Sequence, residues 1–351
     1  MVDIMDDAKA KLAQLAEVVG QLKSCLILSH TNPDPDAIAS SVLLKRLFEK
    51  QFGIKVTLSF HGVIGRAENQ ELVQYTREEF TRFTKAALGR VDFLALVDTQ
   101  PAAGNNPVSP EDEPLVVFDH HKIKPHTRRS PFFLVRSETG ATVTLIYQLF
   151  AAAGLEPDAR LATVISYALQ SETADLQKEA SALDVALFNE IAPLSDRAAL
   201  NAIRYPKVST DYFVSIHRAI EEAVLYGDVI ILPLGELSYP DVVAEVADYF
   251  LRYRPVRYSV ALGIFRGELL ISARSLDKEP NLGTLSQRVV RDIGSAGGHG
   301  MMAGGQIPLT SDTPQAINRM KNKVINRFLK ELKANKRKPV QLLDRMYREG
   351  T

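Results

Sequence analysis

Residues Leu26–Ser41, LILSHTNPDPDAIASS, carry the pattern from which the fold of this chain can be predicted. Together with Cys25 the stretch begins as a short apolar run, which indicates a buried strand, and the run ends at His30. Two prolines in Asn32–Asp36 disfavour regular structure there, and helical spacing returns over Ala37–Lys50. The stretch therefore predicts a strand, a turn and a helix. In open α/β sheets, ligands bind where such strands end.

Three ionisable side chains lie in this turn: His30, Asp34 and Asp36. One imidazole and two carboxylates are costly to hold together as bare charges, and a divalent cation is a common way to balance them. The simpler alternative is that the two aspartates only cap the following helix, which aspartate does well. This turn alone does not decide between the two interpretations.

Two further apolar strands end in the same residue types. Phe93–Val97 leads directly into Asp98, and Leu115–Phe118 leads into the Asp-His-His sequence at 119–121. A single charge at a strand end is common, but three strand ends that carry only histidine and aspartate indicate one shared site. This pattern favours a metal centre over simple capping.

The alternation of predicted strands and helices continues to residue 192 and predicts a doubly wound, mostly parallel sheet. The polar stretch Glu68–Leu88 is predicted to be helical, and Pro193–Pro206 marks a boundary. A smaller α/β domain follows, with a hairpin signal at 266–267 and a glycine-dense segment at 294–305 before a strand at 306–309. The predicted division is 1–195 for a metal-binding domain, 196–212 for a linker, 213–335 for the second domain and 336–351 for a basic tail.

The composition limits the function. The 351 residues carry 42 Lys and Arg against 42 Asp and Glu, so a protein that tracks long nucleic acid, with its usual basic excess, is not expected. The exception is the basic region 316–351, most simply a solvated helix face, with nucleic-acid contact as the alternative. Cys25 is the only cysteine, which excludes an intrachain disulfide and a cysteine-based zinc site. With no signal peptide and no apolar stretch of roughly 20 residues, we expect a cytoplasmic protein without membrane contact.

The motifs His30–Ala37, Asp98, Asp119–His121 and Gly297–Gly300 together resemble those of the DHH phosphoesterase superfamily with its DHH-associated C-terminal domain. The resemblance covers about residues 20–335. The superfamily includes RecJ-like exonucleases, oligoribonucleases that also dephosphorylate pAp, cyclic-dinucleotide phosphodiesterases, exopolyphosphatases and family II pyrophosphatases. The resemblance implies an active site in the cleft between two domains.

The resemblance also implies two divalent metal ions, usually manganese, with magnesium, cobalt and zinc left open. It assigns His30 and Asp34 to the first metal, Asp36 and His120 to the second, and Asp98 to both. A carboxylate suits that bridging role because it has two oxygens. Histidine and carboxylate ligands without thiolate suit manganese or magnesium.

Three more residues complete the implied centre. His121 resembles the histidine near the scissile phosphate, and with Asp98 it is the catalytic candidate. Asp119 is expected to orient a histidine ligand from behind, a common arrangement. The fourth motif falls at Glu172, where the family usually has aspartate. Glutamate is one methylene longer, so its role as a ligand stays open.

In the second domain, Ser272 and Arg274 end a predicted strand, and the matching arginine of the family reads a distal phosphate or the nucleotide backbone. Taken alone, Arg274 is more often a surface salt-bridge partner. Gly297, Gly298, His299 and Gly300 are the remaining substrate-binding candidates, because glycines allow close approach to a phosphate or base. A tight turn is the simpler reading of the same glycines.

The leading hypothesis is a two-metal phosphoesterase that hydrolyses short oligonucleotides or small nucleotides, such as pAp or linear dinucleotides. An exopolyphosphatase-like activity is the alternative within enzymes. The other alternative is a non-catalytic nucleotide-binding regulatory protein, in which Glu172 has weakened the second metal site. No stable binding of long DNA is expected, and a homodimer stays open.

Overall fold

The computed structural model describes residues 2–109, 111–277 and 279–344. The chain divides into two compact units, Met1–Lys207 and Val208–Thr351. This division falls inside the segment predicted as a linker, although the helix Arg197–Arg204 occupies part of that segment. Within the described residues, no helix is both long and apolar enough to cross a bilayer.

The first unit is built on a six-stranded sheet in which every pairing is parallel. Its strands are β1 (Ser24–Leu28), β2 (Lys55–Phe60), β3 (Phe80–Arg82), β4 (Phe93–Val97), β5 (Val116–Asp119) and β6 (Phe132–Val135). The order is β3-β2-β1-β4-β5-β6, which confirms the doubly wound sheet. The direction of strand addition reverses between β1 and β4, and at such a switch point the carboxyl ends of the strands form a crevice.

Eight helices of the described region surround this sheet. They are α1 (Val2–Val19), α2 (Pro35–Leu47), α3 (Ala67–Thr76), α4 (Lys85–Leu88), α5 (Thr142–Ala152), α6 (Ala159–Glu172), α7 (Ala182–Ile191) and α8 (Arg197–Arg204). The four side chains from Cys25 to Leu28 are buried on both faces of β1, as are all five of β4. Because helices cover both faces, these central strands read as continuous apolar runs rather than as alternating ones.

The segment Glu68–Leu88, predicted to be helical, instead contains α3, the short edge strand β3 and α4. The three side chains of β3 are exposed or half-buried. An edge strand of this length leaves no apolar pattern in the sequence, so its pairing with β2 depends on tertiary context.

The second unit contains a seven-stranded mixed sheet. Its strands are β7 (Val224–Tyr226), β8 (Val229–Glu236), β9 (Tyr258–Phe265), β10 (Glu268–Ser275), β11 (Ser295–His299), β12 (Met302–Pro308) and β13 (Val340–Gln341), in the order β11-β12-β10-β9-β8-β7-β13. Only β8 and β9 pair in parallel within this sheet of the described residues. The accompanying helices are α9 (Thr210–Glu222), α10 (Val242–Phe250), α11 (Leu282–Val290) and α12 (Pro314–Glu331). A second α/β unit was predicted, and the structure confirms it.

The glycine-dense segment forms the antiparallel hairpin β11–β12 rather than a loop before a single strand. Gly298 has φ of +144°, and a Cβ atom there would lie 2.3 Å from the carbonyl oxygen of Met302. The hairpin therefore needs glycine at this position. The predicted basic tail also takes part in the sheet, because β13 pairs with β7.

Candidate metal centre

The carboxyl ends of three adjacent parallel strands bring the predicted residues of the first unit together. His30 follows β1, Asp98 follows β4, and His120 follows β5. Asp98 lies at the centre: its Oδ2 is 3.3 Å from His30 Nε2, and its Oδ1 is 3.5 Å from His120 Nε2. The Asp98 residue is 2% exposed, so its carboxylate oxygens face these imidazoles in a largely dry environment.

Two overlapping groups of side chains have the spacing of metal ligands. One contains His30, Asp34 and Asp98, and the other contains Asp98, His120 and His121; within each group the ligand atoms lie within 4.8 Å of one another. Asp98 belongs to both groups through different oxygens. This arrangement suits a carboxylate that bridges two cations.

The tautomers of His30 and His120, which are both partly buried, suit metal binding. His30 Nδ1 is 3.1 Å from the Thr31 carbonyl oxygen, and His120 Nδ1 is 3.3 Å from the Thr139 carbonyl oxygen. A carbonyl only accepts, so Nδ1 carries the proton in each ring and Nε2 faces the carboxylates. His120 Nε2 is fully buried and has no hydrogen-bond partner among the described residues. A divalent cation would satisfy this orphaned atom, and the histidine and aspartate donors fit such an ion.

Asp34 and Asp36 make different contacts. Asp34 caps α2, because its Oδ1 accepts a 3.0 Å hydrogen bond from the Ala37 N–H, while its Oδ2 is 3.4 Å from His30 Nε2. Capping and a place in the ligand group are thus compatible. Asp36 is fully buried and accepts hydrogen bonds from the backbone N–H groups of Thr142 and Val143, at 2.7 and 3.0 Å. It lies outside both groups of ligand spacing.

Glu172, the last residue of α6, places Oε1 3.8 Å from His120 Nε2. Burial, together with the nearby carboxylates of Asp34, Asp36 and Asp98, raises the pKa of Glu172 to about 10. Burial and Asp98 likewise raise the pKa of Asp36 to about 7. Carboxylates this crowded hold protons unless a cation balances their charge. The Glu172 side chain, one methylene longer than an aspartate, thus brings its carboxylate within 3.8 Å of His120 Nε2.

Asp119 orients His121 rather than His120. Its Oδ1 accepts a 2.8 Å hydrogen bond from His121 Nδ1, which raises the pKa of His121 to about 9. The other oxygen, Oδ2, accepts a 2.5 Å hydrogen bond from Gln100 Nε2. Gln100 is 1% exposed and is held in turn, because its Oε1 accepts from the Lys124 N–H and the Thr127 hydroxyl, both at 2.7 Å.

Two residues of this site, Gln100 and Thr142, are not predicted by the sequence pattern. The Thr142 hydroxyl donates a 2.9 Å hydrogen bond to Asp98 Oδ1. Neither residue type is a typical ligand, and their partners lie 19 and 44 positions away in the chain. The available signal for Gln100 was its position two residues after the Asp98 strand end.

In the second unit, the sheet register brings Ser272 and Gly297 into one row, because both pair with Gly304. Arg274 is 9% exposed, and its Nε donates a 2.7 Å hydrogen bond to Asp248 Oδ1. Ser272 Oγ is buried and has no hydrogen-bond partner among the described residues. Gly298 lies in β11 beside Gly297, and Gly300 lies in the turn that follows. The side chain of His299 lies outside what the structure describes.

The fold and the site together define an α/β protein with Asp/His groups of metal-ligand spacing at the switch point of a doubly wound sheet. Residues 24–176 match the model of the DHH family, N-terminal domain, and residues 227–340 match the DHHA1 domain. The chain belongs to the DHH superfamily of phosphoesterases and carries a DHHA1 C-terminal domain.

Its relatives include an uncharacterized protein of Methanocaldococcus jannaschii, 29% identical over 308 residues, which are 87% of this chain and 63% of that protein. Probable manganese-dependent inorganic pyrophosphatases of Bacillus cereus and Lactiplantibacillus plantarum are 26% and 29% identical over 51% and 49% of this chain. The aligned regions are 58% and 55% of those two proteins, so the chain spans less than two thirds of each of these three relatives.

Among solved structures, an exopolyphosphatase-related protein from Bacteroides fragilis has a TM-score of 0.70 at 15% identity, covering 92% of this chain and 98% of that one. This likeness confirms the fold. The manganese-dependent relatives and the Asp/His groups around Asp98 support the use of a divalent metal.

Proposed function

We propose that the protein is a metal-dependent phosphohydrolase that cleaves short oligonucleotides or small nucleotides, such as pAp or linear dinucleotides. One observation carries the proposal: Asp98 places its two oxygens against two separate imidazoles, 3.3 Å from His30 and 3.5 Å from His120. Membership of the DHH superfamily supports the reaction class.

We infer that His30 and Asp34 hold one manganese ion, that Asp36 and His120 hold a second with help from Glu172, and that Asp98 holds both. When bound, such divalent cations would supply the positive charge that lowers the pKa of a nucleophilic water and stabilises the phosphate oxygens. The protein itself fixes the orientation of these ligand side chains. Backbone contacts hold the Nδ1 protons of the histidines and both oxygens of Asp36, so the remaining lone pairs are directed before any ligand binds.

His121 is suited to act on the leaving group. Its side chain is 55% exposed, so substrate can reach it, while Asp119 fixes its ring through Nδ1. Without bound metal the hydrogen bond to Asp119 raises the pKa of His121 to about 9, and a protonated His121 can donate a proton from Nε2 to a leaving oxygen. The Gln100 contact to Asp119 keeps this pair in place.

We further propose that Arg274, Ser272 and the glycines of β11–β12 contact the substrate. The Asp248 ion pair holds the Arg274 guanidinium in one orientation, and a fixed guanidinium matches a phosphate group. Open space surrounds Gly297 where a Cβ would lie, so a ligand can approach the backbone there. We favour nucleotides over inorganic phosphates because the open backbone at Gly297 allows close approach to a base as well as to a phosphate.

The second candidate substrate is a short inorganic polyphosphate or pyrophosphate. It is favoured by the names of the curated relatives that share half of this chain. The shared chemistry is a phosphate ester or anhydride held against the centre around Asp98. Recognition of a base is what separates the two candidates.

The test is manganese-dependent hydrolysis of pAp, a 5′-phosphorylated RNA dinucleotide, a cyclic dinucleotide, pyrophosphate and short polyphosphate. We expect turnover of pAp or the RNA dinucleotide in preference to the inorganic substrates. Preferred turnover of pyrophosphate or polyphosphate would replace the nucleotide assignment with the second candidate. Nucleotide binding without turnover, recovered in Glu172→Asp, would indicate instead a protein whose metal site serves binding.

A further inference from the structure

Thr142, the first residue of α5, contacts two of the acidic residues of the metal centre. It is completely buried. Its backbone N–H donates a 2.7 Å hydrogen bond to Asp36 Oδ2, and its hydroxyl donates a 2.9 Å hydrogen bond to Asp98 Oδ1. A single residue thus connects the end of β4 to the start of α2 through side-chain oxygens.

The local sequence explains why α5 begins at this place. Its N-cap residue is Ala141, which offers no side-chain acceptor for the first N–H groups. Asp36 supplies that acceptor from a distant element, through the N–H groups of Thr142 and Val143. The N-terminus of α5 is therefore fixed against the carboxylates, and the positive end of the helix dipole favours their charge.

The Thr142 hydroxyl acts on one particular oxygen. Asp98 Oδ2 faces His30, whereas Oδ1, the acceptor of the Thr142 hydrogen bond, is the oxygen that faces His120. The terminal torsion of an aspartate side chain is broad, so a carboxylate that must bridge needs a donor to fix its plane. A hydrogen bond of this kind positions a ligand from behind.

We propose that Thr142 is a positioning residue of the metal centre, whose hydroxyl fixes the Asp98 oxygen that faces His120. The inference rests on the metal centre of the proposed function. It requires metal binding and does not require turnover. Loss of the Thr142 hydroxyl should weaken metal binding on the His120 side of Asp98 more than on the His30 side.

The same helix offers a matched control. Thr144 is also buried, at 2% exposure, and its hydroxyl donates a 2.5 Å hydrogen bond to Asp184 Oδ1. Asp184 belongs to neither ligand group and is the third residue of α7, where it completes a capping box with the N-cap residue Ser181. Thr144→Val therefore removes a comparable buried hydroxyl that contacts no residue of the centre, and it leaves the other oxygen of Asp184 bonded to the Gly140 N–H.

The experiment measures Mn²⁺ affinity by calorimetry and by electron paramagnetic resonance, in the absence of substrate. Thr142→Val keeps the branched shape, loses the hydroxyl, and is expected to bind Mn²⁺ about 10- to 100-fold more weakly, the usual effect of removing such a supporting contact. Thr142→Ser keeps the hydroxyl and is expected to retain the parental affinity. Thr144→Val is expected to melt at a lower temperature but to bind Mn²⁺ as the parent does.

Parental Mn²⁺ affinity in Thr142→Val would overturn the proposal, as would an equal loss of affinity in Thr144→Val. If Thr142→Val does not fold, Thr142→Ala carries the same expectation. Failure of the proposed function looks different: hydrolysis of no substrate, with the affinity pattern as expected, refutes the activity and leaves Thr142 as a positioning residue.

Discussion

Replacing Gln100 with leucine tests the buried network behind His121. Gln100 makes four hydrogen bonds: its Nε2 donates to Asp119 Oδ2 and to the Lys122 carbonyl oxygen, and its Oε1 accepts from the Lys124 N–H and the Thr127 hydroxyl. Leucine has a similar size but can replace none of them. At about 1 kcal/mol for each bond, the variant should lose about 4 kcal/mol of unfolding free energy. For a unit of this size that corresponds to a fall in Tm of roughly 8–16 °C.

The assay is thermal unfolding followed by circular dichroism, with Gln70→Leu as the matched control. Gln70 also donates two hydrogen bonds from Nε2, at 3.1 and 3.0 Å, but it is exposed, so water replaces them. Its substitution should change stability by less than about 1 kcal/mol. Equal losses of unfolding free energy in Gln70→Leu and Gln100→Leu would contradict a stabilising role for the buried hydrogen bonds of Gln100. An unchanged stability of Gln100→Leu would contradict it as well. In a folded Gln100→Leu protein, turnover should also fall, because Asp119 no longer holds His121 in one orientation.

Two further predictions address the charge of the centre and the glycine hairpin. Without metal, Tm should fall as pH rises from 5.5 to 8. The folded protein keeps protons on Asp36 and Glu172, with pKa values of about 7 and 10, that the unfolded chain loses near pH 4 to 4.5. Saturating Mn²⁺ should reduce this fall in Tm. A metal-free Tm that stays constant or rises over that pH range would contradict the raised pKa values of Asp36 and Glu172. In the second unit, Gly298→Ala should cost about 1–3 kcal/mol because φ is +144° and Met302 leaves no room for a Cβ, whereas Gly297→Ala should be near neutral for folding. Comparable melting of the two glycine variants would argue against the hairpin geometry.

Much of the first unit could be predicted from its sequence because the central strands are buried on both faces. Apolar runs such as Phe93–Val97 that alternate with helical segments indicate buried parallel strands. Because parallel strands run in one direction, their carboxyl ends lie at the same edge of the sheet. The sequence alone therefore places His30, Asp98 and His120 at one edge of the sheet.

The remaining features depend on tertiary contacts that leave little trace in the sequence. Strand β3 is short and has exposed side chains, and β11 contains glycines that have no strand preference of their own. Gln100 and Thr142 act through hydrogen bonds to groups that are far away in the chain. Neither glutamine nor threonine is a residue type that typically indicates a metal site. The hydrogen bonds that Asp36 accepts from the first N–H groups of α5 are contacts of the same kind.

The most direct test of the central claim compares two aspartates at opposite ends of one strand. Asp98 follows β4 and bridges the two ligand groups, whereas Asp92 precedes β4 and accepts hydrogen bonds from the Lys23 and Ser24 N–H groups. The measurement is Mn²⁺-dependent hydrolysis of pAp and the 5′-phosphorylated RNA dinucleotide by the parent, Asp98→Asn and Asp92→Asn. The parent and Asp92→Asn are expected to turn over these substrates, and Asp98→Asn is expected to lose turnover because it keeps the side-chain shape but removes the charge shared by both ligand groups. Near-parental turnover in Asp98→Asn would contradict this role of Asp98.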